Sequence, residues 1–271
     1  MGMPISIRWL GNAGYYAQFS ERKVVIDPYF TRPQTTNLFY GRVSPDVTAI
    51  RTYSGACDAV LISHAHFDHC MDAPDLARLH KATYYGSENA CKIARACGLA
   101  EKQMHRIQAQ DAFTIGDVQV SVIAARHPWI PGYTQGEISQ NLNPPLHLQD
   151  YRMDDCFSFL LTSAAGSVLV WSSTSSQDAQ KADILICRAV SSQRWYERLL
   201  GEVKPRWVIP SHWDDMFQPL SADPTPFFSA PQFALPPIQR IDLLEFECKV
   251  KKALPGCRVL LPRRFMDYQL I

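Results

Sequence analysis

The stretch that most constrains this chain runs from Asp58 to His69, with the sequence DAVLISHAHFDH. Its apolar run, Ala59 to Ile62, reads as a short buried strand. His64, His66, Asp68 and His69 follow at once, all within six residues. Three imidazoles and a carboxylate this close together are wasteful in a core and awkward on a surface. They suit one or two borderline divalent cations, because neutral imidazole nitrogen and carboxylate oxygen bind zinc, manganese or iron.

A strand delivering ligands needs a sheet to hold it, and the rest of the chain supplies one. Ile5 to Leu10 reads as a strand, followed by a Gly11-to-Gly14 turn and a hairpin of Tyr15–Phe19 with Lys23–Ile26. Tyr29 to Thr52 carries prolines, a glycine and little apolar period, so it reads as a long surface loop. Met71 to His80 is expected to be helical, with Asp72 as its cap and Pro74 in its first turn. A strand at Ala82–Tyr85, a helix at Glu88–Cys97, and strands at Asp111–Ile115 and Val118–Ala124 complete the first half. After a Pro- and Gly-rich loop the pattern restarts, with strands Cys156–Leu161, Ser167–Trp171, Ile184–Cys187 and Arg206–Pro210. Helices are expected at Gln193–Glu202 and from about Ile238 to Leu254, and a last strand at Arg258–Leu261. The reading is α/β: one domain over residues 1–271, two similar halves (about 1–127 and 155–271) joined by a long loop. Two mixed sheets with helices on their outer faces, a four-layer αβ/βα sandwich, bury both sets of apolar stripes most simply.

Two further histidines share a property with the opening cluster. His127 follows the Val118-to-Ala125 run, and His212 follows Trp207-to-Pro210, so each closes an apolar β run. Three strand ends bearing imidazoles can converge on one edge and complete a coordination sphere.

Composition narrows the function classes. With 46% hydrophobic residues in 271, the chain can bury a sizeable core. Lys plus Arg number 27 against 26 for Asp plus Glu, which argues against a bulk electrostatic grip on nucleic acid or anionic membrane. The eight cysteines are scattered without a Cys-x-x-Cys pair, reading as reduced thiols of a cytoplasmic protein. No apolar run approaches the ~18 residues of a membrane span. The sequence leaves open whether the chain is a monomer or a homo-oligomer.

His64-Ala-His-Phe-Asp-His69 matches the His-x-His-x-Asp-His motif of the metallo-β-lactamase superfamily. Residues 7–14, 26–29 and 210–215 resemble the branch of ascorbate-6-phosphate lactonase and N-acyl-phosphatidylethanolamine phospholipase D, and the likeness covers nearly the whole chain. The resemblance implies that His64, His66 and His127 hold one metal, and that Asp68, His69 and His212 hold a second. Asp27 matches an acidic position that would orient ligands without touching the cation; a simple strand-ending turn residue is the alternative. One departure matters. Relatives carry Gly-Asp-Thr where the aspartate bridges both metals, whereas here Ser172-Ser-Thr174 places Ser173 at that position. A neutral hydroxyl cannot replace an anionic bridge, so at least one metal, the second before the first, is expected to be weakened unless Asp178 swings in.

The chemistry expected is metal-assisted hydrolysis of an ester, lactone, amide or phosphodiester, with a water acidified by the cation and Asp68 able to accept its proton. Zinc leads, with manganese or iron as the other choices, one or two per chain. Trp129, Tyr133 and Trp213 leave the ligand segments as an aromatic lip for a small organic substrate, or pack loops. His147 and Arg188 could meet an anionic group. Two other readings stand beside this one: a phosphodiesterase or nuclease, and a degenerate member that binds without turnover because of Ser173.

Overall fold

Neighbouring residues of the early strands part company by face, as a period of two demands. In the computed structural model, which describes residues 4–38, 40–128, 135–229 and 239–271, Tyr15 and Ala17 lie in one apolar cluster and Tyr16 in another. β1 (Ser6–Gly11), β2 (Gly14–Phe19) and β3 (Arg22–Ile26) form an antiparallel meander. From β3 the pairing turns parallel, through β4 (Ala59–Leu61), β5 (Thr83–Gly86) and β6 (Met104–Arg106). Parallel neighbours need crossovers. These carry α1 (Val47–Tyr53), the single turn α2 (Phe67–Cys70), α3 (Ala73–His80) and α4 (Glu88–Ala96).

The second sheet begins antiparallel with β7 (Ala112–Ile115), β8 (Val118–Ala124), β9 (Phe157–Ser163) and β10 (Gly166–Trp171). It continues parallel with β11 (Ile184–Arg188) and, across α5 (Gln193–Val203), with β12 (Trp207–Ser211). A two-residue pair, β13 (Phe228–Ser229) and β14 (Gln239–Arg240), precedes α6 (Leu243–Ala253) and β15 (Arg258–Val259), and β16 (Asp267–Gln269) ends the chain's regular structure. The sheet orders are β16-β1-β2-β3-β4-β5-β6 and β15-β12-β11-β10-β9-β8-β7, both mixed.

The inner cluster joins Ile7, Trp9, Tyr15 and Ile26 of the first sheet to Val120, Phe159, Leu161 and Val168 of the second. On the first sheet's outer face, Tyr16, Val25 and Val60 meet Ile50, Leu76 and Ile93 of α1, α3 and α4. Tyr196 of α5 packs edge-on against Phe246 of α6, 5.7 Å apart, over the second sheet. Each such side chain contributes roughly 1.5–3 kcal/mol of burial, enough to fix which face of every strand points inward. The four-layer αβ/βα sandwich expected from the strand pattern is the fold.

Several local expectations differ from what forms. The segment after β3 is no plain surface loop: Tyr29 and Phe30 are buried, and α1 lies within it, capped by Asp46 accepting from Ala49 N at 2.9 Å. With Ile50 as its only buried residue, α1 has no apolar period to detect. Asp72 stands at the head of α3 but its carboxylate does not cap it. It accepts from Thr31 N at 2.7 Å and from Phe30 N and Thr31 Oγ1, stitching the post-β3 segment to the helix. α6 starts at Leu243, where Asp242 accepts from Leu244 N and Glu245 N, rather than near residue 238. The last strand stops at Val259, and β16 pairs antiparallel with β1 instead, so the C-terminal segment covers the first sheet's edge. The chain also changes sheets between β6 and β7, before the long loop, because the β7–β8 hairpin pairs with β9. Among the described residues no helix is long and apolar enough to cross a membrane.

Candidate metal centre

β4 is buried on both faces and fixed between two parallel neighbours, so the segment leaving its carboxyl end starts from a rigid edge. Such edges are where open α/β sheets place ligands. His64 and His66 follow, His66 in extended conformation at the head of α2, and α2 then turns Asp68 and His69 back toward them. His127 arrives from the end of β8 and His212 from the end of β12.

The structure gathers these six into two adjoining trios. The ligand atoms of His64, His66 and His127 lie within 4.8 Å of one another, and so do those of Asp68, His69 and His212. The trios touch: the His64 and His69 rings are 3.9 Å apart between centroids. Asp68 Oδ2 lies 3.4 Å from His69 Nε2 and 3.1 Å from His212 Nε2. Two donors about 2.0 Å from a tetrahedral cation stand about 3.3 Å apart, so this spacing fits a shared ion. His64 Nε2 and Asp68 Oδ1 are buried with no hydrogen-bond partner. Leaving such atoms unmet costs about 1–3 kcal/mol each, which a cation on His64 and a water held beside it on Asp68 Oδ1 would offset. The residues therefore fit the metal that the motif implies.

The ring orientations agree. Each of three histidines engages its Nδ1 elsewhere, leaving Nε2 for the trio: His127 with Pro128 O at 2.8 Å, His64 with Ser63 Oγ at 3.0 Å, His69 with Asp27 Oδ2 at 2.9 Å. Ser63 Oγ donates to Asp27 Oδ2 at 2.5 Å, so it can only accept from His64. Asp27 thus orients one histidine of each trio, one directly and one through Ser63. It sits at φ +47 and also accepts from Ser63 N at 2.7 Å, a strained backbone held because the carboxylate is committed. Asp27→Asn should weaken cation binding at the His64–His66–His127 position by about 10–100-fold, and at the second position above about pH 10, where His69 has lost its proton, measured by competition with a chromophoric chelator. Unchanged affinity at both would remove Asp27 from the relay.

Electrostatics separate the trios. Burial drives His64 well below the usual imidazole range, helped by His69, His66 and His127, and burial lowers His127 to about 4. Burial opposes charge on His69 too, yet Asp68 and Asp27 overcome it and raise that imidazole to about 10. Burial alone would raise Asp68, but His69 and His212 hold its carboxyl well below the ordinary range.

The sequence reading missed Asn12. Its Nδ2 donates to Asp68 Oδ2 at 3.0 Å, its backbone N donates to Asp214 Oδ1 at 2.7 Å, and its carbonyl accepts from His212 N at 3.1 Å. Arg264 and Arg32 lie 3.3 and 3.6 Å from Asp214 Oδ2, so a buried charged cluster braces this junction. The only sequence signal was the Gly11-to-Gly14 turn, where Asn12 takes φ +49.

Other expected residues fall outside the trios. Ser173 is buried, its Oγ accepting from Arg126 N at 3.0 Å and Ser175 N at 3.1 Å, while Asp178 is exposed and belongs to neither trio. Trp213 forms no lip: it is buried and stacked on Trp9 at 4.7 Å. His147 is exposed and caps the turn Leu148–Asp150. Arg188 ends β11, and Trp129 and Tyr133 lie outside the described residues.

The profile of the β-lactamase superfamily domain matches residues 22–181. The chain belongs to this superfamily. A UPF0173 protein of Pyrococcus furiosus is 24% identical over 227 residues, spanning 82% of this chain and 89% of that protein. A UPF0173 metal-dependent hydrolase of Myxococcus xanthus is 30% identical over 122 residues, 45% of this chain and 38% of that protein. Among solved structures, Igni18, a metallo hydrolase of Ignicoccus hospitalis, shares the fold with a TM-score of 0.61 at 14% identity, covering 99% of this chain and 100% of that one. β-Lactamase superfamily folds carry varied chemistry, so the reaction has to be argued from the site itself.

Proposed function

We propose that the protein is a metal-dependent hydrolase of the lactonase-like branch, acting on an ester, lactone or phosphodiester bond of a small organic substrate in the cytoplasm. The observation that carries this reading is the pair of adjoining trios with His64 Nε2 and Asp68 Oδ1 buried and unmet. His64, His66 and His127 would hold one cation, zinc before manganese or iron, and Asp68, His69 and His212 a second. A divalent cation bound there supplies Lewis acidity and lowers the pKa of a water toward ~7.

The chain's own groups do the rest. Asp68 Oδ2 is fixed by Asn12 and His212, which leaves Oδ1 as the atom placed to accept a proton from the attacking water. With its pKa held well below the ordinary range, Asp68 is ionised and ready to accept near neutral pH. Asp27 keeps His64 and His69 in one orientation while the proton moves.

The test is hydrolysis of lactone, carboxyl-ester and bis-phosphodiester substrates with Zn²⁺ or Mn²⁺ added, then with chelator. Turnover should vanish on chelation and return with metal, and Asp68→Asn should lower kcat by at least about 100-fold. Activity surviving complete metal removal would overturn the reading.

A further inference from the structure

Arg188 ends β11 at the carboxyl edge of the second sheet, paired with Ser211, the residue before His212, and its surroundings are unusual. β10, β11 and β12 run parallel, with Trp171, Cys187 and Pro210 in one row and Arg188 beside Ser211 in the next. Their carboxyl ends therefore form one edge. β10 leads to Ser173, β12 leads to His212, and Arg188 stands between them.

Arg188 is half-buried, yet among the described residues its guanidinium makes no hydrogen bond and no ion pair; only its carbonyl is engaged, accepting from Tyr196 Oη at 3.0 Å. Burial pulls its pKa down, and no carboxylate opposes that pull. Elsewhere this fold neutralises buried guanidinium groups: Arg32 and Arg264 share Asp214. A desolvated cation without a counter-charge is costly, and the planar fork of Arg matches two oxygens of a carboxylate or phosphate. None of its nitrogens is sealed from solvent without a partner, in contrast to Arg32 Nε and Nη2, so an incoming group can reach it.

We propose that Arg188 binds a compact oxyanion, the carboxylate or phosphate of the substrate, at the rim of the metal centre. This names the substrate class of the hydrolase reading and rests on it for its biological meaning. The ligand is an ester, lactone or phosphodiester whose non-reacting part is anionic. Arg188 sets specificity by holding that part at the sheet edge while the scissile bond faces Asp68.

The proposal is tested by calorimetric titration of the full-length chain with inorganic phosphate and, separately, malonate, both as purified and after chelation. Wild type should bind at least one of the two, the tighter one identifying the group, and should keep doing so after chelation. Arg188→Met, which keeps volume and removes charge, should bind at least tenfold more weakly, and Arg188→Lys should fall between. In anion-free buffer Arg188→Met should melt no lower than wild type, since it removes an unpaired buried charge. The assignment is wrong if wild type binds neither anion, if R188M binds as tightly as wild type, or if binding disappears on chelation. It is also wrong if R188M melts lower and R188K restores the melt without restoring binding. None of these readouts needs turnover, so a protein that hydrolyses nothing yet binds oxyanion through Arg188 would refute the hydrolase reading alone.

Discussion

Raising the pH from 6.5 to 8.5 should tighten cation binding at the Asp68–His69–His212 position by about two decades and leave the His64–His66–His127 position nearly unchanged. The difference comes from one proton. His69 lies between Asp27 Oδ2 at 2.9 Å and Asp68 Oδ2 at 3.4 Å, and the two carboxylates raise its pKa to about 10 despite burial. Below that pH, Nε2 carries a proton that an incoming cation must displace. One proton released per ion makes apparent affinity rise about tenfold per pH unit until the folded pKa is reached. His64 and His127 of the other trio levy no such toll: burial keeps His64 well below the usual range and His127 at about 4, so both are already neutral at pH 6.5. Co²⁺ titrations followed by visible absorbance at several pH values, with proton release measured in weak buffer, would resolve the two slopes. Equal slopes would mean that the carboxylates do not hold a proton on His69.

The residues of the centre were legible in the sequence to the degree that their partners were local. His64 to His69 are packed into six positions, and His127 and His212 each close an apolar run, so strand ends alone bring them forward. Asn12 was invisible because its contacts lie 56 residues away at Asp68 and 202 away at Asp214. No periodicity carries that information; it exists only once the two sheets face each other. α1 escaped for a different reason, being a seven-residue helix with one buried side chain, set by its Asp46 cap rather than by an apolar stripe. Asp72 shows the converse. Its position before α3 has the signature of a cap, but the backbone of Phe30 and Thr31 offers stronger donors, and long-range stitching wins.

Ser173→Asp should raise affinity for the second cation by at least about 100-fold and move the stoichiometry from near one ion per chain toward two. In the wild type the six ligands carry a single formal negative charge, that of Asp68, against four positive charges if both positions fill. Two dications about 4 Å apart repel by roughly 17 kcal/mol at an effective dielectric of 20, so an added anion near both has leverage far beyond an ordinary hydrogen bond. Ser173 cannot provide it. Its hydroxyl is neutral and its oxygen is occupied with Arg126 N and Ser175 N, one residue from His127. An aspartate there can keep an oxygen for those amides and turn the other toward the cations. Three variants separate charge from shape, with metal content measured after equilibrium dialysis. Ser173→Ala should leave metal binding close to wild type while costing about 1–3 kcal/mol of stability for the two orphaned amides. Ser173→Asn keeps an acceptor oxygen without a charge and should fold normally yet still lack the second ion. If Asn and Asp variants load metal equally, the missing charge is not what limits the site; if wild type already holds two ions tightly, the serine was never a weakness.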